Sequence, residues 1–436
     1  MRPMKDSKIK WIGQIPDSWC VERLKYHAYF NPATELPEFS DDDEVSFVPM
    51  DHLKSGFHNT SMVPYQMVKK GYVVFQDNDI LMAKVTPCLE NGNLAIAGGL
   101  NHGVGFGSTE INVIRCRSID RRFLFYVLQC PSYIEEATYN MYGVAGLKRL
   151  DPGFIPNSFF PNPPQEEQIR IAEYLDNKCA EIDLLIAAKE KTNALLRERR
   201  QSIIYEAVTK GMNPNAPMKD SGVEWIGEIP ANWTPIRLKY VINSIESGTS
   251  VNAEDHPCGK NEYGVLKTSC VLTGQFQSDQ NKTVLTEEYS RLSCPVRKDS
   301  VIVSRMNTPN LVGACGYVEN DHPNLFLPDR LWQVSFRLNC LSKYMWYFLS
   351  SEYTKAIYAS ICTGTSGSMQ NISQEQLGDI IFFLPSINEQ VSIVRTLDMT
   401  CEQMDSIIAE NNICISQLKE YRKSLIYEAV TGKVEV

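Results

Sequence analysis

A chain of 436 residues, 43% hydrophobic and 22% charged, is ordinary globular material with room for roughly two to four domains. No apolar run approaches the ~20 residues of a membrane span, and the charged first ten residues lack a signal-peptide core. A net charge of −9 and a pI near 5.4 exclude a surface that is basic throughout; affinity for phosphate requires cations gathered on one face or supplied by a partner.

The chain opens on a lead-in segment, Met4-Lys5-Asp6-Ser7, then Trp11-Ile12-Gly13-Gln14-Ile15-Pro16-Asp17-Ser18-Trp19 and Arg23-Leu24-Lys25-Tyr26. The pattern returns as Met218-Lys219-Asp220-Ser221, Trp225-Ile226-Gly227-Glu228-Ile229-Pro230-Ala231-Asn232-Trp233 and Arg237-Leu238-Lys239-Tyr240. Behind each copy lies a globular stretch, about 20–163 and 234–385, alike in order but little in letters. Strand-like runs come first, such as Val45-Ser46-Phe47-Val48 and Gly264-Val265-Leu266-Lys267. An apolar strand ending in a cation follows: Ile80-Leu81-Met82-Ala83-Lys84 in one, Val301-Ile302-Val303-Ser304-Arg305 in the other. An aromatic helix is expected over Arg122 to Tyr139 and over Lys343 to Ile361, then a Gly-rich loop at 143–149 and 364–371. The order reads as α+β domains with mainly antiparallel sheets.

Each unit ends in a long stretch, 164–211 and 386–433, whose interior is free of Pro and Gly for roughly forty residues, and the two align without a gap. Glu167-Gln168 matches Glu389-Gln390, Leu175-Asp176 matches Leu397-Asp398, and Ser202-Ile203-Ile204-Tyr205-Glu206-Ala207-Val208-Thr209 matches Ser424-Leu425-Ile426-Tyr427-Glu428-Ala429-Val430-Thr431. As helices they are rods of about 60 Å. Alternating steps of four and three trace a seam through Leu175, Cys179, Ile182, Ile186, Lys189, Asn193, Leu196, Arg200, Ile203 and Ala207. The second seam is Leu397, Cys401, Met404, Ile408, Asn411, Ile415, Leu418, Arg422, Leu425 and Ala429. Two such stripes bury most simply on each other as an antiparallel coiled coil. Packed on its own domain instead, so long a rod would overhang it. The organisation is therefore a tandem duplication: lead-in and first globular domain (1–163), first rod (164–211), linker with second lead-in and domain (212–385), second rod and C-terminus (386–436).

The WIGxIPxxW lead-in, the PPxxEQ helix start at Pro163-Pro164-Gln165-Glu166-Glu167-Gln168, the IYEAVTxG helix end and the duplication resemble the specificity subunit of type I restriction–modification systems. The likeness spans nearly the whole chain. It implies two target-recognition domains in tandem pseudo-symmetric repeat, joined by an antiparallel spacer, each reading half of a bipartite, asymmetric double-stranded DNA target. It also implies two methyltransferase subunits docked on the framework and restriction/translocase subunits beyond them, with S-adenosylmethionine, ATP and Mg in those partners and no cofactor here. The second rod departs from the pattern, with Pro385-Ser386-Ile387-Asn388 in place of the double proline, which is expected to change local capping only. Two modules on a fixed rod suit half-sites about 34–36 Å apart.

Candidate DNA residues cluster in matching loops. Lys84 and Arg305 precede Thr-Pro or Asn-Thr-Pro turns, where a cation serves phosphate or guanine, or simply ends a strand in solvent. The repetition and the resemblance favour DNA. Thr86, Asn91, Asn307, Thr308 and Asn310 are polar neighbours able to reach base edges or to serve turn chemistry alone. Lys148 and Arg149 in the first Gly-rich loop, and Ser368, Gln370 and Asn371 in the second, either approach phosphate or belong to flexible loops. Ser108 and Thr109 correspond in place to Arg330, which either meets DNA or pairs with a carboxylate such as Asp329. Trp11, Trp19, Trp225 and Trp233 read as framework packing that fixes module to rod or presents a docking surface.

Catalytic patterns are weak. Asn162-Pro163-Pro164-Gln165 lacks the aromatic fourth residue of the adenine-methyltransferase tetrapeptide, and the equivalent Leu384-Pro385-Ser386-Ile387 abandons it. No P-loop appears, Pro328-Asp329 has no spaced Glu-x-Lys, and the six histidines do not cluster with cysteines at zinc spacing. The expectation is a non-catalytic, metal-free subunit. The thirteen cysteines, odd in number and without a CxxC pair, read as reduced thiols of a cytoplasmic protein. The competing reading is an assembly scaffold or inhibitory relative that binds the methyltransferase without reading DNA.

Overall fold

The computed structural model describes residues 2–144, 146–223, 226–366 and 369–436, with 363–366 described by backbone alone. Trp225 and Ser368 lie outside the described residues. The chain divides into two compact units, Met1–Glu190 with Asn412–Val436, and Lys191–Asn411, so each unit takes half of each long helix.

In the first unit, Met4–Asp6 and Gln14–Pro16 form a hairpin that buries Trp11, Ile12 and Ile15. Cys20–Arg23 then pairs with Phe159–Asn162, the last strand before the rod, so the domain's entrance and exit are stitched together. Between them lie two four-stranded sheets. One is antiparallel throughout, in the order Ala28–Phe30, Ile111–Cys116, Ile80–Ala83, Leu94–Ile96. The other runs Ser61–Pro64, Glu44–Val48, Val104–Gly107, Val73–Gln76, and its middle pair is parallel.

The strand Ile80–Ala83 is buried along its whole length because it has a core on each face. Alternate residues diverge as the pleat requires: Ile80 and Met82 join the large core under the helices, while Leu81 and Ala83 join the core toward the second sheet. An unbroken apolar run is what such a strand needs.

The second unit repeats this plan. Met218–Asp220 pairs with Glu228–Pro230, and Thr234–Arg237 with Ile381–Leu384. Its antiparallel sheet runs Ile242–Ser247, Leu331–Phe336, Ser300–Ser304, Cys315–Val318. Its second sheet has five strands and again one parallel pair, Gly264–Leu266 with His322–Phe326. Ser300–Ser304 is buried throughout, with Val301 and Val303 on one core and Ile302 on the other. Strand order has survived where letters have not.

Each expected aromatic helix is two helices. Arg121–Gln129, capped by Asp120 accepting the Arg122 and Phe123 amides, stops before Pro131, which lacks an N–H and opens the next helix, Pro131–Tyr139. In the second unit the break is at Ser351, which sits in extended backbone between Ser342–Ser350 and Glu352–Ile361 and caps the second helix through the Thr354 amide. The Gly-rich stretches are not open loops either. Met141–Val144 pairs with Leu147–Leu150, and Thr363–Ser366 with Met369–Asn371, as antiparallel hairpins.

The rods span Gln165–Lys210 and Ile387–Val430, 46 and 44 residues. The second starts as its sequence suggests, with the Ser386 hydroxyl accepting the Glu389 amide hydrogen at 3.4 Å. Within each unit the paired halves run antiparallel. In the first, Arg422 reaches Asp183 (3.5 Å) and Lys419 reaches Glu190 (3.9 Å). In the second, Arg200 reaches Asp405 (3.6 Å) and the Asn411 side-chain amide donates to Asn193 Oδ1 (2.9 Å). Leu175, Cys179, Ile182 and Ile186 are buried in the first unit with Ile415, Leu425 and Ala429. Ala207, Leu397 and Cys401 are buried in the second. The heptad stripes are the seam.

Candidate nucleic-acid interface

In the first unit a cluster forms where the buried strand Ile80–Ala83 leaves the core. Lys84, the next residue, is held by backbone on both sides: its amide donates to Glu110 O (3.1 Å) and its carbonyl accepts the Leu150 amide (2.8 Å). Thr86 rivets the hairpin, its amide donating to Lys148 O (3.0 Å), its hydroxyl donating to Gly146 O (2.8 Å) and accepting the Lys148 amide (2.9 Å). Lys84, Thr86, Lys148 and Arg149 are thereby brought together across about sixty residues of chain. Ser108 joins them through its hydroxyl, which accepts the Glu110 amide hydrogen at 3.2 Å, and Thr109 stands exposed beside it. Asn91 does not join. It ends the turn after Pro87 and lines a separate cavity of about 610 Å³ with Ser55, Gln129 and Arg422.

Arg149 has a carboxylate partner that nothing in the sequence pointed to. Glu110 accepts from its guanidinium at 2.5 Å, which leaves Lys148 as the hairpin's cation without an ion pair among the described residues. Burial holds the Lys84 ammonium below the usual lysine pKa; Glu110 opposes the shift and Arg149 adds to it. A phosphate or base acceptor arriving at Lys84 would replace part of the lost solvation.

The second unit builds its cluster from the same elements. Arg305 follows Ser300–Ser304, its amide donates to Arg330 O (3.1 Å), and its carbonyl accepts the Ile372 amide (2.9 Å). Met306 and Asn307 pair with Asn371 and Gln370, so a third strand joins this hairpin. Arg305, Asn307, Arg330, Gln370 and Asn371 thus share one edge, and Thr308 and Asn310 stand exposed in the turn behind it. Arg305 is not a free cation: its Nε donates to Asp329 O at 2.8 Å. The pairing of Arg330 with Asp329 is not formed; the Asp329 carboxylate accepts from Ser250 instead (2.5 Å). Among the described residues none of Lys84, Lys148, Arg305 and Arg330 makes an ion pair, and no cluster of three or more His, Cys, Asp or Glu side chains is placed to hold a metal ion.

The family model described as the type I restriction modification DNA specificity domain matches residues 230–415. The putative type I restriction enzyme MjaX specificity subunit of Methanocaldococcus jannaschii is 30% identical over 454 aligned positions, covering 98% of this chain and 96% of the relative. This chain belongs to the type I restriction enzyme specificity subunits. The EcoEI specificity subunit of Escherichia coli is 26% identical, across 90% of this chain and 80% of its own. The fold recurs in a solved chain from a study of assembly and conformational transition of the type I R-M system, with a TM-score of 0.73 over 96% and 99% of the two chains at 16% identity.

Apart from these two edges, each unit of this specificity subunit carries a joint that sequence reasoning missed. Asp176 of the first rod accepts from Tyr126 Oη (2.8 Å) and from Arg122 (2.9 Å). Asp398 of the second accepts from Tyr347 Oη (2.7 Å) and from Lys343 (2.8 Å). Gln168 and Gln390 cap the aromatic helices by accepting the Asp120 and Leu341 amides, at 2.8 and 2.9 Å. Trp19 and Trp233, both fully buried, each donate an indole N–H to a rod glutamate, Glu167 or Glu389, at 2.9 Å. Arg2 completes the first of these by pairing with Glu167 and lying over the Trp19 ring. The signal was present in the matching Glu-Gln and Leu-Asp pairs; its meaning needed the partners. Trp19 and Trp233 fix module to rod, as framework packing requires.

Proposed function

We propose that this specificity subunit reads a bipartite, asymmetric duplex target, one half-site per recognition domain, and docks two methyltransferase subunits on its duplicated framework. Restriction/translocase subunits complete the assembly, which works in the cytoplasm. The chain contributes recognition and geometry and is itself non-catalytic; S-adenosylmethionine, ATP and Mg serve the partner subunits. Residues 1–163 and 212–385 are the exchangeable reading portions, with 164–211 and 386–436 as the spacer.

The observation that carries the reading is a contrast inside each unit. The joint to the rod recurs in its Asp–Tyr, Gln–amide and Trp–Glu bonds, while the edge built around Lys84 or Arg305 changes its residues and keeps its place in the fold. Modules that keep one joint and carry different residues on the same edge suit two different half-sites. Polar groups on strand-anchored turns suit base-edge readout, and the cations beside them suit phosphate.

The test is methylome sequencing of a host carrying this chain with its cognate methyltransferase, against a host carrying the methyltransferase alone. A gapped, asymmetric motif that appears only with this chain is the expected result. Exchanging residues 20–163 for another module should change one half of that motif. If the proteins co-purify and no motif depends on this chain, it is a scaffold.

A further inference from the structure

The tip of the first hairpin is apolar and open. Val144 and Leu147, which flank its turn, are 84% and 78% exposed, and Tyr142 on the same ribbon is 55% exposed. A folded domain gains nothing by holding two aliphatic side chains in water side by side. Nor are the described residues of the hairpin loosely held. Thr86 fastens the hairpin with three hydrogen bonds, and the bridge between Val85 and Arg149 fixes its base to the strand that bears Lys84. Gly143 allows the two strands to cross: its φ is +143°, and a Cβ there would lie 2.2 Å from Leu147 O. Behind the tip stands Lys148, with no carboxylate partner among the described residues. An aliphatic point backed by cations matches a groove whose floor has an apolar feature and whose walls are phosphate.

We propose that this hairpin enters the major groove of the first half-site and reads thymine there, with Val144 and Leu147 packed on the C5 methyl group. The inference rests on the DNA-reading function proposed above and names the chemistry of one half of it. A two-stranded ribbon fits the major groove, and the thymine methyl is the one apolar mark that an unmodified base pair shows there. The second hairpin is composed differently: Thr363-Gly364-Thr365-Ser366-Gly367-Ser368-Met369-Gln370-Asn371 is almost wholly polar in sequence. An exposed aliphatic point is therefore a feature of the first hairpin, and aliphatic methyl reading is assigned to the first half-site.

The experiment uses the complex with the methyltransferase and a duplex bearing the motif found by methylome sequencing. Each thymine is replaced in turn by deoxyuridine, which removes only the methyl group, and Kd is followed by fluorescence anisotropy. One replacement in the first half-site should weaken binding about four-fold, the equivalent of one buried methyl. The V144S/L147S variant should bind the thymine and uracil duplexes equally. Its folding is checked by co-purification with the methyltransferase, and Val144→Thr, which keeps the shape, is the milder companion. Uracil-insensitive binding by the unaltered complex overturns the inference. So does a rise in 2-aminopurine fluorescence beside the first half-site without uracil sensitivity, because that marks a wedge between base pairs. If exchange of residues 20–163 leaves the motif unchanged, the DNA-reading function itself falls. If the exchange changes the motif but uracil has no effect, this inference alone falls.

Discussion

The two units keep one joint and diverge at one edge. Asp176 and Asp398 each hold a tyrosine and a cation from the helix above, and Trp19 and Trp233 each anchor to a rod glutamate at the same 2.9 Å. At the edge built around Lys84 or Arg305 the pattern changes. Arg149 is tied to Glu110 in the first unit, whereas Arg330 makes no ion pair among the described residues of the second. The first hairpin ends in aliphatic residues and the second is polar in sequence. Within a single duplicated chain the joint has been held while the edge was free to alter, the contrast expected if the joint serves both halves alike and each edge reads its own half-site.

If the two joints are equivalent, their largest side chains should be equally costly to remove. Trp19→Ala and Trp233→Ala each delete a fully buried indole and should cost about 3–5 kcal/mol by urea unfolding, with similar losses in the two units. A silent substitution in either one would mean that its joint is ornamental. Next in size, Lys84→Ala with Lys148→Ala, and Arg305→Ala with Arg330→Ala, should each weaken motif binding by about 1–3 kcal/mol for every base that these side chains read. Where they meet phosphate, the salt slope should fall by about 1 instead. Anisotropy across salt concentrations separates these outcomes, and methyltransferase co-purification should be unchanged.

A smaller effect probes the joint's hydrogen bonds. Tyr126→Phe and Tyr347→Phe each remove one hydrogen bond to a carboxylate, and about 1.5 kcal/mol should be lost from each by the same unfolding measurement. The smallest is a shared acid sensitivity. His58 in the first unit and His322 in the second are held below the usual histidine pKa, first by burial, with Asp77 and Asp321 respectively opposing. As pH falls through about 6.5 the unfolded chain takes up protons that the folded chain still refuses, so this contribution is complete above that pH and is lost below it. H58N and H322N should each flatten the decline of unfolding free energy with acid; an unchanged slope would mean that these histidines play no part in it.

The duplication, the rods, their antiparallel seam and the α+β class were legible because they rest on local repetition and on helical period, which a sequence displays directly. The fully buried strands at Ile80–Ala83 and Ser300–Ser304 were legible as apolar runs ending in a cation. The break before Pro131 was written in the chain and overridden by an unbroken aromatic pattern; the break at Ser351 carried no such mark. Turn composition made hairpins look like loops, since Gly143 and Gly146 announce a reversal without announcing the ladder on either side. The engagement of Arg149 with Glu110 was out of reach because it joins residues 39 apart through a tertiary contact. For the same reason Asn91 was grouped with Lys84, when the turn carries it to another cavity.

The asparagine layer of the seam bears on self-association. Both rods descend from one sequence, so a rod could in principle zip to a twin from another molecule. In the register set by Arg422 with Asp183 and Arg200 with Asp405, Asn193 meets Asn411 and accepts a matched amide bond. Zipped to a twin in that register, the first rod would instead set Asn193 beside Lys189 and Glu190, where no such amide pairing is on offer. A mid-seam asparagine pair favours the register and the partner that keep its amide bond intact.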